Sequence, residues 1–148
     1  MSNKLQIYNC GILQAREANK ICMYNTHTQA YGLTLTQQQA TELVEVRNYE
    51  LCHIGRIEFG EGIIGKLIVA FCDSPYISQD NYSNTIQAFI EIFYYYKNET
   101  LDLLSDDELI KYMKYYFNGT CNGSIELLSS RELDLLARNI RSGSEIIC

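Results

Sequence analysis

Gly62-Ile63-Ile64-Gly65-Lys66-Leu67-Ile68-Val69-Ala70-Phe71-Cys72 is the stretch around which the rest of the chain is read. Ile64, Leu67, Ile68 and Phe71 recur at i, i+3, i+4 and i+7, the spacing of one helical face. Ile63 and Ala70 widen that face almost all the way round, so the segment is expected as a central, buried helix. Pro75 follows within three residues and stops it.

Outward from this segment, helical periodicity dominates and strand alternation is scarce. Upstream, Thr36 and Gln39 stand at capping-box spacing. They open a helix to Ile54 whose stripe of Ala40, Leu43, Val44, Leu51 and Ile54 is interrupted by Arg47. Ile12, Ala15, Asn19 and Cys22 suggest a further helix over Gly11 to Tyr24. Downstream, a helix over Asp80–Asn98 stacks Ile86, Phe89, Ile90, Phe93 and Tyr96. Ser105 and Glu108 form a second capping box, leading a stripe of Leu109, Tyr112, Met113, Tyr116 and Phe117 that closes at Asn118-Gly119. Ser129 and Glu132 are at the spacing of a third, after a short turn over Ser124–Leu128. Only Arg56-Ile57-Glu58-Phe59 alternates as a half-buried strand would, with Lys4–Tyr8 as its one plausible partner. The expected fold is all-α: a compact bundle of five or six helices forming one domain over 1–148, with 1–30 as an N-terminal segment and room for a short strand near 56–59.

Composition bounds the function. The chain has 148 residues, 12 bases and 18 acids, for a net charge of −6. That acidity argues against a duplex nucleic-acid binder, whose affinity comes largely from Lys and Arg neutralising phosphates. No apolar run approaches the roughly 18–20 residues of a membrane span. The opening Met-Ser-Asn-Lys-Leu-Gln has no apolar signal-peptide region, which leads to the expectation of a cytoplasmic protein. The six cysteines are spread with no C-x-x-C pair, so free, mostly buried thiols are expected rather than a disulfide framework or a zinc site. No metal and no cofactor is expected.

Charge is unevenly placed. Residues 1–56 hold five bases and four acids, whereas 57–148 hold seven bases and fourteen acids. Glu99, Asp102, Asp106, Asp107 and Glu108 crowd into ten residues without a base. The first-turn acids favour the helix dipole, and a solvated face or an acidic docking patch would account for the rest.

Chemistry has few starting points. Gly60–Leu67 nearly spells a phosphate-binding loop, but Leu67 replaces the hydroxyl that would hold Mg²⁺ and no strand context surrounds it. His27, in the polar connector Asn25–Gln29, and His53, near the end of a helix, are the only histidines, so a Ser-His-Asp or Cys-His machine has little to build from. The densest polar stretch is 55–76, where Arg56, Glu58, Asp73 and Tyr76 are candidates for holding a polar ligand or acting as an enzyme site. The twelve tyrosines suggest a different class of function. A helix cannot point Tyr94-Tyr95-Tyr96, or Tyr115-Tyr116-Phe117, into one core, so Tyr95 and Tyr115 are candidates for a partner surface.

Three blocks carry a likeness: Gly55-Arg56-Ile57-Glu58-Phe59-Gly60, Phe71-Cys72-Asp73-Ser74-Pro75-Tyr76, and Phe93-Tyr94-Tyr95-Tyr96-Lys97-Asn98-Glu99. With Tyr31–Thr36 and Ser105–Leu109 they resemble a family of bacterial proteins catalogued only as a domain of unknown function, from about Tyr31 to Arg141. The resemblance implies a bacterial cytosolic protein and brings no activity, cofactor or catalytic residue. The leading expectation is therefore a non-catalytic interaction or subunit protein, with a protein partner or a homo-oligomer. The alternative is a small polar-ligand binder or enzyme centred on 55–76.

Overall fold

Because helices end where their orphaned amides find acceptors, the caps define the architecture. The computed structural model describes residues 14–56 and 62–143. Within them α1 covers 14–23, followed by the helical turns Asn25–Thr28 and Gln29–Tyr31. Then come α2 (Gln37–His53), α3 (Gly62–Phe71), α4 (Tyr82–Glu99) and α5 (Asp106–Asn118). A turn at Ile125–Leu127 and a π-helical stretch at Leu128–Glu132 lead into α6 (Leu133–Arg141). No strand occurs among the described residues, and the fold is all-α. The strand reading of Ile57–Phe59 and its proposed partner Lys4–Tyr8 lie outside those residues.

Two capping boxes form as the spacing predicts. The Thr36 side chain accepts from the Gln39 amide at 3.1 Å, and the Gln39 side chain accepts from the Thr36 amide at 2.9 Å. Ser105 and Glu108 repeat this at 3.1 and 2.9 Å, and those bonds hold the Glu108 carboxyl below its ordinary pKa. The third expected box does not form. Ser124 is the cap instead, accepting from the Leu127 amide at 3.2 Å, and the chain stays helical through the π stretch into α6. Glu132 is turned to Arg131 at 2.7 Å, and the Ser129 carbonyl accepts the Tyr96 hydroxyl.

The centre of the bundle falls on α4 more than on α3. α4 packs against α2, α3, α5 and α6. At 18 residues it is about 27 Å long, enough to cross the whole bundle. α3 buries Ile63, Ile64, Leu67, Ile68 and Phe71, but Val69 and Lys66 keep one side of it at the surface. Phe71, Phe89 and Phe117 meet at the core with ring centroids 4.2 to 5.8 Å apart. Each fully buried ring stabilises by roughly 1.5–3 kcal/mol.

α1 presents a different face from the one its spacing suggested. Ala15 and Asn19 are exposed, while Ala18 and Ile21 are buried. The reason is Glu17, which pairs with Arg47 of α2. Arg47, read from sequence as an interruption, is completely buried in the middle of α2's apolar stripe. A buried guanidinium must keep a charged partner, so this pair fixes how α1 rolls onto α2.

Candidate functional site

The sequence candidates do not converge on one place. Arg56, just past α2, pairs with Asp102 in the turn after α4. Asp73, just past α3, pairs with Lys114 of α5 at 3.2 Å. The ten-residue α3 separates Arg56 from Asp73 along the chain, and its axis alone spans about 15 Å. Glu58 lies outside the described residues. Tyr76 packs edge-on against Phe117 at 6.0 Å and lies over Gly123, where a Cβ would stand 2.4 Å from its Cγ. Tyr115 is exposed on α5, its ring edge-on to Tyr116 at 5.3 Å, beside a recess shared with Glu108, Lys111 and Tyr112. Of the run Tyr94–Tyr96, the outer rings are buried and Tyr95 faces outward.

The near-phosphate loop does not present a free cation. Lys66 meets Asp107 at 2.9 Å, and Asp73 meets Lys114 seven residues further along both segments of this pairing, so α3 and α5 run side by side in the same direction. Of the described cysteines, Cys72 and Cys121 are buried, Cys22 is half-buried and Cys52 is exposed, all as free thiols. Among the described residues no group of three or more His, Cys, Asp and Glu is arranged to hold a metal ion. Nor is any described helix long and apolar enough to cross a membrane.

The acidic stretch 99–108 is engaged within the molecule. Glu99 pairs with Arg141 at 3.0 Å, Asp102 with Arg56, Asp106 with Lys97 at 3.0 Å and Asp107 with Lys66. Glu108 closes the capping box. All five carboxylates have partners in the fold.

A different set of acids has no basic partner among the described residues. α2 and α4 enclose a groove of about 650 Å³ lined by Glu42, Glu45, Val46, Tyr49, Glu50, Gln87 and Glu91. On α2 these positions recur at i, i+3, i+4, i+7 and i+8, the face opposite Leu43, Val44 and Arg47. No Lys or Arg pairs with any of the four glutamates among the described residues. Burial, and then the nearby Glu91 charge, raise the Glu50 pKa, while His53 pulls it the other way. Tyr49 is 64% exposed and its ring lies against that of His53 with centroids 4.3 Å apart and planes tilted by 46°. Gln87, Glu91 and Tyr95 follow one another at i, i+4 and i+8, so the exposed Tyr95 stands one helical turn beyond Glu91, outside the groove lining itself.

Sequence reasoning passed over this groove. A signal was present: the only Lys or Arg within α2 is Arg47, and removing it to the core leaves the outer face with Glu42, Glu45 and Glu50 uncompensated. That Glu91 stands across from them is a tertiary fact.

Residues 20–146 match a family of unknown function, DUF6323. The chain belongs to this family. The match covers the span over which the sequence blocks suggested an uncharacterised family, and it assigns no activity to any residue of the groove. No curated protein and no solved structure matches the chain.

Proposed function

We propose that this chain is a single-domain, non-catalytic interaction protein of the bacterial cytosol that docks a basic segment of a partner protein in the α2–α4 groove. The observation that carries the reading is the set of four glutamates around a concave surface that includes Tyr49, with no Lys or Arg paired to them among the described residues. Uncompensated charge of one sign in a cleft concentrates the field and attracts a complementary partner. Tyr49 and Tyr95 add the large, amphipathic contact area in which interfaces are enriched. The alternative, a polar-ligand or enzyme site within 55–76, would need Arg56 and Asp73 in one pocket, and each is engaged at a different end of α3.

The test is affinity capture from the source organism's lysate with wild type, a Glu42→Lys/Glu45→Lys/Glu91→Lys variant, and Glu126→Lys as an exposed control outside the groove. Wild type and the control should retain a stoichiometric companion that weakens as salt rises, and the triple variant should lose it by at least about tenfold. Equal recovery by all three proteins would overturn the groove as the docking surface.

A further inference from the structure

The α2–α4 groove offers more than negative charge, and its other features bear on which basic side chain it takes. Its carboxylates stand on two walls, with Glu42, Glu45 and Glu50 on α2 and Glu91 on α4. Burial and then the Glu91 charge raise the Glu50 pKa, so acids from the two walls crowd one another. Among them lies Val46, which packs on the core and gives the groove an apolar strip. One turn further along α2 is Tyr49, also in the lining. The His53 ring lies against Tyr49, and its Nδ1 is 3.0 Å from the Tyr49 carbonyl. That neighbour supports the tyrosine while leaving most of its ring open to solvent. An open aromatic ring beside acids and an aliphatic strip does nothing for the core.

We propose that the groove selects arginine: the basic segment docked there places a guanidinium between Glu50 and Glu91 and over the Tyr49 ring, with its methylenes along Val46. This rests on the groove being the docking surface and narrows what occupies it. A lysine ammonium is a compact, strongly hydrated point charge, which any exposed acid serves about equally well. A guanidinium is planar, carries five donors in a fixed fork and can serve carboxylates on two walls at once. Seated there, it also relieves the repulsion between them. Its weaker hydration lowers the cost of entering a half-closed cleft, and it stacks on an aromatic face better than an ammonium does. At about 650 Å³ the groove has the size of an ordinary ligand cleft, with room for neighbouring bases to meet Glu42 and Glu45.

Fluorescence anisotropy with two labelled peptides, hexa-arginine and hexa-lysine, separates this inference from the reading beneath it. At about 150 mM salt the full chain should bind hexa-arginine roughly three- to tenfold more tightly than hexa-lysine. Tyr49→Leu keeps an apolar side chain at an exposed position. It should bring the hexa-arginine affinity down to the hexa-lysine level while changing hexa-lysine by less than about twofold. Glu42→Lys/Glu45→Lys/Glu91→Lys should weaken both peptides by at least about tenfold. Equal affinities for wild type, or an arginine preference that survives Tyr49→Leu, would overturn the selection of arginine. If the triple variant still lost both peptides, the groove would stand as a surface for any basic segment. Peptides that bind wild type and the triple variant alike, or bind neither, would overturn the groove itself and the inference with it.

Discussion

Residues 99–108 and the α2–α4 groove are the two acidic regions of this molecule, and they differ in what faces them. The first packs five carboxylates into ten residues, and each is met by a cation from α3, α4, α6 or the segment just past α2, or by the Ser105 capping amide. The second gathers four glutamates spread over residues 42–91, with no Lys or Arg paired to any of them among the described residues. Density of charge along the chain therefore says little about which surface is available. Exposed pairs such as Lys66–Asp107 each contribute about 0–1 kcal/mol, so the first region is a set of modest tethers. In the second, carboxylates crowd one another, and the raised Glu50 pKa reflects burial and then Glu91. A field that the fold leaves uncompensated is the one left for a partner.

The sharpest contrast is on α2 itself, which carries unpaired acids outside and the Arg47–Glu17 pair inside. Glu17→Gln takes the carboxylate away from a fully buried guanidinium, which keeps its hydrogen bonds to the neutral Asn48 side chain, and should cost about 3–5 kcal/mol in urea unfolding. Arg47→Met removes the charge along with its need for a partner and should cost clearly less. Equal and small losses for the two variants would mean that solvent reaches Arg47, and the division of α2 into paired and unpaired faces would fail.

An unpartnered group in the core behaves differently from one at a groove rim. The Tyr82 hydroxyl is buried with no well-formed hydrogen bond, and burial pushes its pKa up to about 12 against the opposing pull of the nearby Thr28 hydroxyl. The unfolded phenol ionises near 10, so between pH 10 and 12 the unfolded chain has lost a proton that the folded chain retains. Stability therefore falls as pH rises through that window, by up to ~3 kcal/mol from this residue. Tyr82→Phe should lack that component and should be neutral or slightly stabilising at pH 7, where the phenol makes no well-formed hydrogen bond. Urea midpoints of the two proteins between pH 9 and 12 should diverge; parallel curves would show that the phenol is solvated.

Lys97 tests the tethers of the 99–108 region. Its ammonium meets both the Leu104 carbonyl and Asp106 and is nearly buried. Lys97→Met should cost about 2 kcal/mol, the scale of charge-assisted bonds lost from a half-closed site. Hydrogen exchange at Leu101, Asp102 and Leu103 should accelerate with it, while amides in α2 are unchanged. A uniform acceleration across the protein would mean that the turn is not a separately held unit.

How much of this could be read in advance follows the range of the interactions. The Thr36–Gln39 and Ser105–Glu108 boxes are three-residue bonds, and both are legible in the sequence. Ser129–Glu132 has the same pattern and fails, because Ser124 caps an earlier start and Arg131 takes the Glu132 carboxylate. The face of α1 differs from the one its spacing suggests because its decisive contact, Glu17 to the buried Arg47, spans 30 residues and draws inward an acid that periodicity counts as outward. At the candidate site the tyrosines were legible as surplus aromatic area, and Tyr95 does face outward. The glutamates were not. An acid on a helix surface looks the same whether a cation stands across from it, as at Asp107, or another acid does, as at Glu50.

The smallest effect gives the most direct comparison of the two regions, because one kind of substitution is made in each. Asp107→Lys replaces a partner of Lys66 by a like charge and should lower stability by about 0.5–1 kcal/mol. Glu91→Lys introduces a cation where carboxylates crowd, and should be neutral or gain up to about 0.5 kcal/mol. In a chain of this length these shifts amount to roughly 1–4 °C in melting temperature, and both should shrink in high salt. The Glu50 carboxyl, followed by NMR titration, should move back down towards its ordinary value in Glu91→Lys and stay where it is in Asp107→Lys. If Glu91→Lys destabilised the protein as much as Asp107→Lys, the groove glutamates would already be serving the fold, and the partner would have to be sought on another face.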